Sequence, residues 1–355
     1  MNKEFTVIAR LAALMAALAF VGLLAITIVA FATQRQFLRV APYTEALLEV
    51  NAYERSPGIL AELFVATLNE TRGGLARQLP LPEVSQSDVE LFLSILLPRD
   101  WLQSQTEVIV RRAIAGLNGE QSTQPAVLSL VDLKEQLNSQ VGRQALLAVI
   151  DTRPACGATD LSNFTCGFNL AGEISCRPPS LNLELCGTAI DLAVGGMATQ
   201  IPDQIDLDAV LQLSDPLSAP LREHARRYVA AVSLLARFGW FVALPFLLVA
   251  TLLAVRSFAG LLRWWGAPLL AVALCLLPVI ALTLLWPTWY IWAPLEELAL
   301  VAPSLAQLLA DVAGVLSQGL VLQLVVPMIL LGGAGVGMLA LSFLAPLAQR
   351  WVAQG

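Results

Sequence analysis

Four groups of side chains in this sequence have the types and spacing that chemistry needs, and none completes a reaction centre. Asp203, Asp206 and Asp208 place three carboxylates within six residues, the raw material of a cation loop. They lack the glycine and the downstream glutamate of an EF-hand, so they are weak metal candidates and a solvated turn accounts for them. Glu296 and Glu297 form a second carboxylate pair that reads equally well as an exposed helix start. The single histidine, His224, stands beside Arg222, Arg226 and Arg227. A Ser-His-Asp or Cys-His mechanism would have to pass through it, yet nothing marks a nucleophile. There is no P-loop, dinucleotide fingerprint or HExxH. The expectation is a non-enzymatic protein with no cofactor.

The fourth group is the cysteines. Cys156, Cys166, Cys176 and Cys186 have nine residues between each neighbouring pair. Structural zinc sites use close pairs two to four residues apart, so two disulfides are the expectation, and the sequence leaves the three pairings open. Disulfides persist in oxidising compartments, which puts this segment outside the cytoplasm. It is rich in turn formers and needs cross-links to hold its order. Cys275 sits inside an apolar run and reads as a small buried hydrophobe.

The elements that must carry these groups are dominated by four long apolar runs, at residues 11–32, 238–255, 266–286 and 320–347. Each approaches or exceeds the ~20 residues needed to cross a ~30 Å hydrocarbon layer, and none contains a charge. The chain is 57% hydrophobic and only 14% charged, against about a quarter charged in soluble domains. The fold expected is an all-α integral membrane protein with four transmembrane helices in a 1+3 arrangement, and a large, mainly helical, disulfide-stapled extracytoplasmic domain between the first two. Residues 33–237 make up that domain, with 16 basic against 23 acidic residues and hence a net charge of −7. Such a balance disfavours a nucleic-acid partner, which requires a basic face.

Loop charges set the orientation. Lys3 and Arg10 precede the first span, Arg256 and Arg263 lie in the short loop of residues 256–265, and Arg350 lies in the tail of residues 348–355. The loop of residues 287–319, expected to hold an interfacial helix, has no Lys or Arg. The positive-inside rule then puts residues 1–10 and the tail in the cytoplasm and the domain outside, in the cell membrane. Ala30-Phe31-Ala32 fits a cleavage site, but the apolar stretch exceeds a signal h-region, so the first span reads as an uncleaved signal anchor.

Within the domain, Ser87 and Glu90 read as a capping box ahead of Val89, Phe92, Leu93 and Leu96. A second helix is predicted from near Asp100 to Leu117, with Glu107 and Arg111 as an i,i+4 pair. A third, beginning after Ser56-Pro57, carries Leu60, Leu63, Phe64 and Leu68 as a core stripe. Residues 126–131 read as a short strand, and the stretch from Asp215 as a helix continuing into the second span.

The spans hold no Asp, Glu, Lys, Arg or His, and Gln323 and Thr27 are their most polar side chains, which argues against a self-contained pump. Gly333 and Gly337 form a GxxxG pair suited to close helix packing, against the chain's own helices or those of a membrane or envelope partner. Pro245, Pro278 and Pro327 each fall roughly 11–12 Å below the outer end of their span, where three kinks would open a groove beneath the domain.

One span, a large outer domain and three further spans is an order that resembles the permease subunits of MacB/FtsX-type ABC systems. That resemblance is one of topology across the whole chain and implies force transmission across the membrane. In that family a sizeable cytoplasmic segment separates the second and third spans, whereas here only residues 256–265 are available. The leading functional expectation is a cell-envelope membrane protein whose outer domain binds or senses a ligand or partner. A transport-associated or mechanotransmission subunit is the alternative, and an outer-face hydrolase or transferase the third reading.

Overall fold

The computed structural model describes residues 3–74, 85–117, 127–156, 176–177, 187, 190–191, 194–196, 198–199, 203–206, 218–285 and 302–352. Asp208, Cys166, Cys186, Glu296 and Glu297 lie outside the described residues. The chain is mainly helical, and four helices are long and apolar enough to cross a membrane, the pattern of a lipid-embedded protein. They are parts of α1 (Lys3–Phe37), α8 (Ser218–Ala254), α9 (Phe258–Leu285) and α10 (Pro303–Val352). Between α1 and α8 lie α2 (Ala41–Glu49), α3 (Ala52–Gly74), α4 (Gln86–Leu96), α5 (Arg99–Leu117), β1 (Val127–Ser129), α6 (Val131–Leu137), α7 (Gln140–Asp151) and β2 (Gln204–Asp206).

The long helices form two antiparallel pairs, α1 with α8 and α9 with α10, and α1 also touches α9 and α10. Their shared core is a seam of Phe20, Leu24 and Ile28 from α1, Leu247 from α8, Val272 and Leu276 from α9, and Leu324 from α10. Small residues set the helix spacing. Ala16 and Ala17 pack on Ala250. A Cβ at Gly239 would come within 2.1 Å of Thr27 Oγ1, so α8 can cross α1 there only without a side chain. Thr27 is fully buried and donates to the Leu23 carbonyl 2.7 Å away, which satisfies its hydroxyl inside the helix. Cys275 is exposed, not buried as expected, because it points away from the Val272–Leu276 seam onto the outer face of α9.

The intervening helices build a second core. Leu96 of α4, Leu137 of α6, and Leu146 and Ile150 of α7 pack with Ile190, Val194 and Ala198, three helical residues four apart. α6 and α7 turn so tightly at Asn138-Ser139 that a Cβ at Gly142 would lie 1.8 Å from the Leu137 carbonyl oxygen. The expected strand is present. β1 pairs antiparallel with β2 in the register Val127 to Asp206, Leu128 to Ile205 and Ser129 to Gln204. The start of α4 differs from the expected capping box: Ser85 is the N-cap, accepting from the Asp88 amide, and Ser87 lies in the first turn. Asp88 is then placed for another partner, Arg153, 2.7 Å away, which ties the start of α4 to the end of α7.

α5 starts one residue before Asp100 and carries the expected Glu107–Arg111 pair. α3 departs further. It begins five residues ahead of Pro57, which sits inside it; among its described side chains Ala52, Tyr53, Pro57, Ile59 and Ala61 are buried while Leu60 and Phe64 are exposed, and the Leu68 side chain lies outside the described residues. The stripe of Leu60 and Phe64 is therefore not the core face. Tyr53, Pro57 and Ala61, four residues apart, form the face that packs inward.

Candidate functional site

Pro57 explains how α3 shapes a cleft. A proline inside a helix has no N–H for the carbonyl four residues back, here that of Tyr53. The Ser56 hydroxyl takes up that role, donating to the Tyr53 oxygen at 2.9 Å, so the first turn survives with Pro57 on its inner side. Beneath it opens a cavity of about 520 Å³ between the start of α3, the α4–α5 corner and the α6–α7 turn. Tyr53, Glu54 and Pro57 come from α3; Ser94, Ile95, Leu97, Pro98 and Arg99 from the corner; Gln136 and Val141 from the turn. That volume falls within the ~300–1,000 Å³ of small-molecule sites, and the mixture of an apolar floor with a few polar groups is their usual composition.

The electrostatics are uneven. Glu54 and Arg99 pair at 3.2 Å with both side chains more than half exposed, so they stand at the mouth. Tyr53 is only 5% exposed, and its hydroxyl has no hydrogen-bond partner among the described residues; neither has the buried Gln136 side-chain oxygen nor the indole N–H of Trp101. Burial, and then the charge of Glu107, push the Tyr53 hydroxyl above its ordinary pKa. It stays neutral at any physiological pH.

The same stretch of α3 faces a membrane-type helix on its other side. Arg55 pairs with Asp311 of α10 at 2.8 Å, and two turns later Glu62 accepts from the Ser304 amide at 3.2 Å. Seven residues forward on α3 match seven backward on α10, so the two helices run antiparallel along this contact. Glu62 also places a carboxylate at the start of α10, where the helix dipole favours it. Tyr53 and Glu54 therefore line the cleft while Arg55 grips α10.

No family model, curated protein or solved structure matches the chain.

The residues singled out from the sequence are elsewhere. Asp203 pairs with Lys134, and its carbonyl accepts from the Leu130 amide at 2.9 Å, so it closes the β1–α6 corner onto β2. Among the described residues no three His, Cys, Asp or Glu side chains gather as a metal site. His224 is exposed on α8, where the neighbouring Arg226 donates to the Gly116 carbonyl at 3.2 Å and joins α8 to the end of α5. Cys156 and Cys176 form a disulfide, with the backbones of Cys156 and Arg177 hydrogen-bonded beside it.

In the long helices, Gln323 donates to Gln36 at 2.8 Å, an amide pair between α10 and α1, and Gly319 leaves room for Gln36. A Cβ at Gly333 or Gly337 would meet nothing within 4 Å; the close approach is made by Gly266 and Gly335, whose backbones touch across α9 and α10. The helices continue unbroken on both sides of Pro245, Pro278 and Pro327. Sequence reading missed the cleft because its walls come from three segments far apart in sequence. Pro57, expected from the sequence to lie ahead of the helix, is in fact inside α3 and lines the cleft.

Proposed function

We propose that this is a non-enzymatic, multi-pass protein of the cell membrane, with both termini cytoplasmic, whose helical domain lies outside and binds a small ligand or partner segment in the α3–α4–α7 cleft. Occupancy of the cleft is passed to the membrane helices through α3. One observation carries the reading: three consecutive residues, Tyr53, Glu54 and Arg55, form the cleft wall, its charged mouth and the grip on α10. A ligand that shifts the first turn of α3 changes the Arg55–Asp311 contact, and by linkage any change in that contact alters the cleft by the same coupling free energy.

The mechanotransmission reading gains from the same geometry, since α10 runs unbroken from Pro303 beside α3 through the span. In it the domain and the membrane helices move as coupled bodies, with no ligand required. The hydrolase reading gains nothing from the cleft, whose lining has one carboxylate, Glu54, already paired with Arg99.

Hydrogen exchange on the full chain in nanodiscs tests the coupling. Arg55→Ala or Asp311→Ala should speed exchange at residues 53–57 and 94–99 relative to the rest of the domain, and the charge-swapped Arg55→Asp/Asp311→Arg variant should recover part of the protection. Unchanged exchange at the cleft in both single variants would refute it.

A further inference from the structure

The mouth of the cleft carries one charge of each sign. Glu54, from the first turn of α3, and Arg99, at the start of α5, hold each other at 3.2 Å while their side chains remain 61% and 52% exposed. Exposed pairs of this kind are held weakly, because water competes for both partners and salt screens them. The rest of the lining is largely apolar, with the buried Tyr53 and with Pro57, Ile95, Leu97, Pro98 and Val141 beside Ser94 and Gln136.

We infer that the cleft takes a small zwitterion with an apolar side chain, an aliphatic or aromatic α-amino acid or a dipeptide of such residues, which opens the Glu54–Arg99 pair and satisfies both halves. The ligand ammonium replaces Arg99 as the partner of Glu54, and the ligand carboxylate replaces Glu54 as the partner of Arg99. This inference rests on the reading of the cleft as a ligand site. A ligand with a single charge would pair with one rim residue and leave the other beside it, covered and unpaired, which is the unfavourable way to desolvate a charge. A ligand with both charges leaves neither stranded. The arginine fork suits a carboxylate, to which it donates two parallel hydrogen bonds. Affinity then comes from the side chain covering the apolar floor, and the charges select what may enter. The cavity volume of about 520 Å³ is enough for an amino acid or a dipeptide. Gln136 at the wall offers an amide to the peptide bond of a dipeptide.

Opening the mouth also gives the ligand a route to the membrane helices. Glu54 precedes Arg55 on the same turn, so moving Glu54 from Arg99 to a ligand shifts the base of the Arg55–Asp311 contact.

The test is calorimetric titration of the full chain in nanodiscs with L-leucine, L-phenylalanine and leucyl-leucine, beside the one-charge analogues 4-methylpentanoate and 3-methylbutylamine. The zwitterions should bind in the micromolar to millimolar range, with each one-charge analogue at least about 10-fold weaker, the ratio that ~1.4 kcal/mol gives. Arg99→Ala should bring leucine down to the level of 3-methylbutylamine, and Glu54→Gln should bring it down to that of 4-methylpentanoate. Both positions are exposed, so neither variant threatens folding. Equal binding of the zwitterions and the one-charge analogues overturns the proposal, as does no binding of any zwitterion up to roughly 10 mM. If that happens while Asp311→Ala still alters hydrogen exchange at the cleft, the ligand class is wrong and the coupling stands. If leucine binds but Asp311→Ala leaves the cleft unchanged, the coupling is wrong and the ligand class stands.

Discussion

Replacing Gly335 by alanine separates the glycines that pack from those that merely match a motif. At Gly335 the added methyl carbon would lie 2.8 Å from both the Gly266 carbonyl oxygen and the Leu270 amide nitrogen, and 3.1 Å from Leu270 Cβ. Ordinary contacts start near ~3.5 Å, so α9 and α10 must part by several tenths of an ångström. Backbone cannot rotate out of the way as a side chain can. Overpacking of this kind costs about 1–3 kcal/mol, and the gain from alanine over glycine within a helix returns about 0.5–1 kcal/mol. The expected net loss is about 0–2.5 kcal/mol. At Gly333 and Gly337 the added methyl meets nothing within 4 Å, so alanine there should be neutral or stabilising by up to about 1 kcal/mol. Thermal unfolding of the purified full chain in one detergent, followed by loss of the monodisperse species, gives the ranking. Gly266→Ala should behave like Gly335→Ala, and the double variant should cost less than the sum, because one separation of the helices relieves both clashes. Equal damage from Gly333→Ala and Gly335→Ala would refute the packing described here.

A membrane-impermeant maleimide applied to intact cells should label Phe64→Cys and not Ser257→Cys, since both positions are exposed but Phe64 lies on α3, which packs on the start of α10, and Ser257 lies in the turn between α8 and α9; labelling of Ser257→Cys alone would invert the proposed topology. Removing the Cys156–Cys176 bond by Cys156→Ser frees a loop of 20 residues and should destabilise the domain by about 3 kcal/mol, read by the rate of limited proteolysis between residues 150 and 190. Non-reducing peptide mapping should recover Cys156 linked to Cys176. Asp88→Asn leaves Arg153, three-quarters buried, without its counter-charge and should lower stability by about 2 kcal/mol, less than the 3–5 kcal/mol of a fully buried pair. The Tyr53 hydroxyl is raised above its unfolded pKa, so its contribution to stability is fully present below about pH 10 and is lost as pH rises through the folded value. Tyr53→Phe should flatten that alkaline loss of stability, as followed by circular dichroism at pH 9–12, and no difference from the parent would show that Tyr53 does not titrate in this environment.

The apolar runs, the short strand at Val127–Ser129 and the Glu107–Arg111 pair were legible because each depends on neighbours in sequence. Hydropathy over twenty residues reports burial in lipid, and an i,i+4 pair needs only one helix. Which glycine packs was not legible: Gly332 to Gly337 contains four glycines, and choosing Gly335 requires the rotation of α10 against α9, set by the Val272–Leu276 seam. The α3 core face was misread for a related reason. Leu60, Leu63 and Phe64 have the right spacing, but the helix starts at Ala52 and its cleft-facing residues include a tyrosine and a proline, types that carry little weight in an apolar pattern. The cleft itself depends on corners, Pro98-Arg99 and Asn138-Ser139, that bring distant segments together.

Helix length gives the strongest reason to expect coupled motion. At ~1.5 Å per residue the 50 residues of α10 span ~75 Å, about two and a half times the ~30 Å hydrocarbon layer. In the proposed topology the charge-free run of residues 320–347 crosses that layer, and the first four to five turns, with Ser304 and Asp311, stand clear of it beside α3. α8 projects in the same way, its first turns joined to α5 by Arg226 and Gly116. An unbroken helix resists bending over a few turns far better than a loop does. In the proposed coupling, a displacement of the α3 turn at Arg55 is carried along α10 to Gln323, where the amide pair with Gln36 of α1 must either follow or break. Gln323→Leu removes that pair and leaves the Gln36 amide buried without its partner, so it should weaken the response of α1 while leaving the cleft and the Arg55–Asp311 contact intact. Spin-label distances between α1 and α10, measured in Asp311→Ala with and without Gln323→Leu, decide this. A shift of the same size in both backgrounds would mean that the motion reaches α1 through the apolar seam instead.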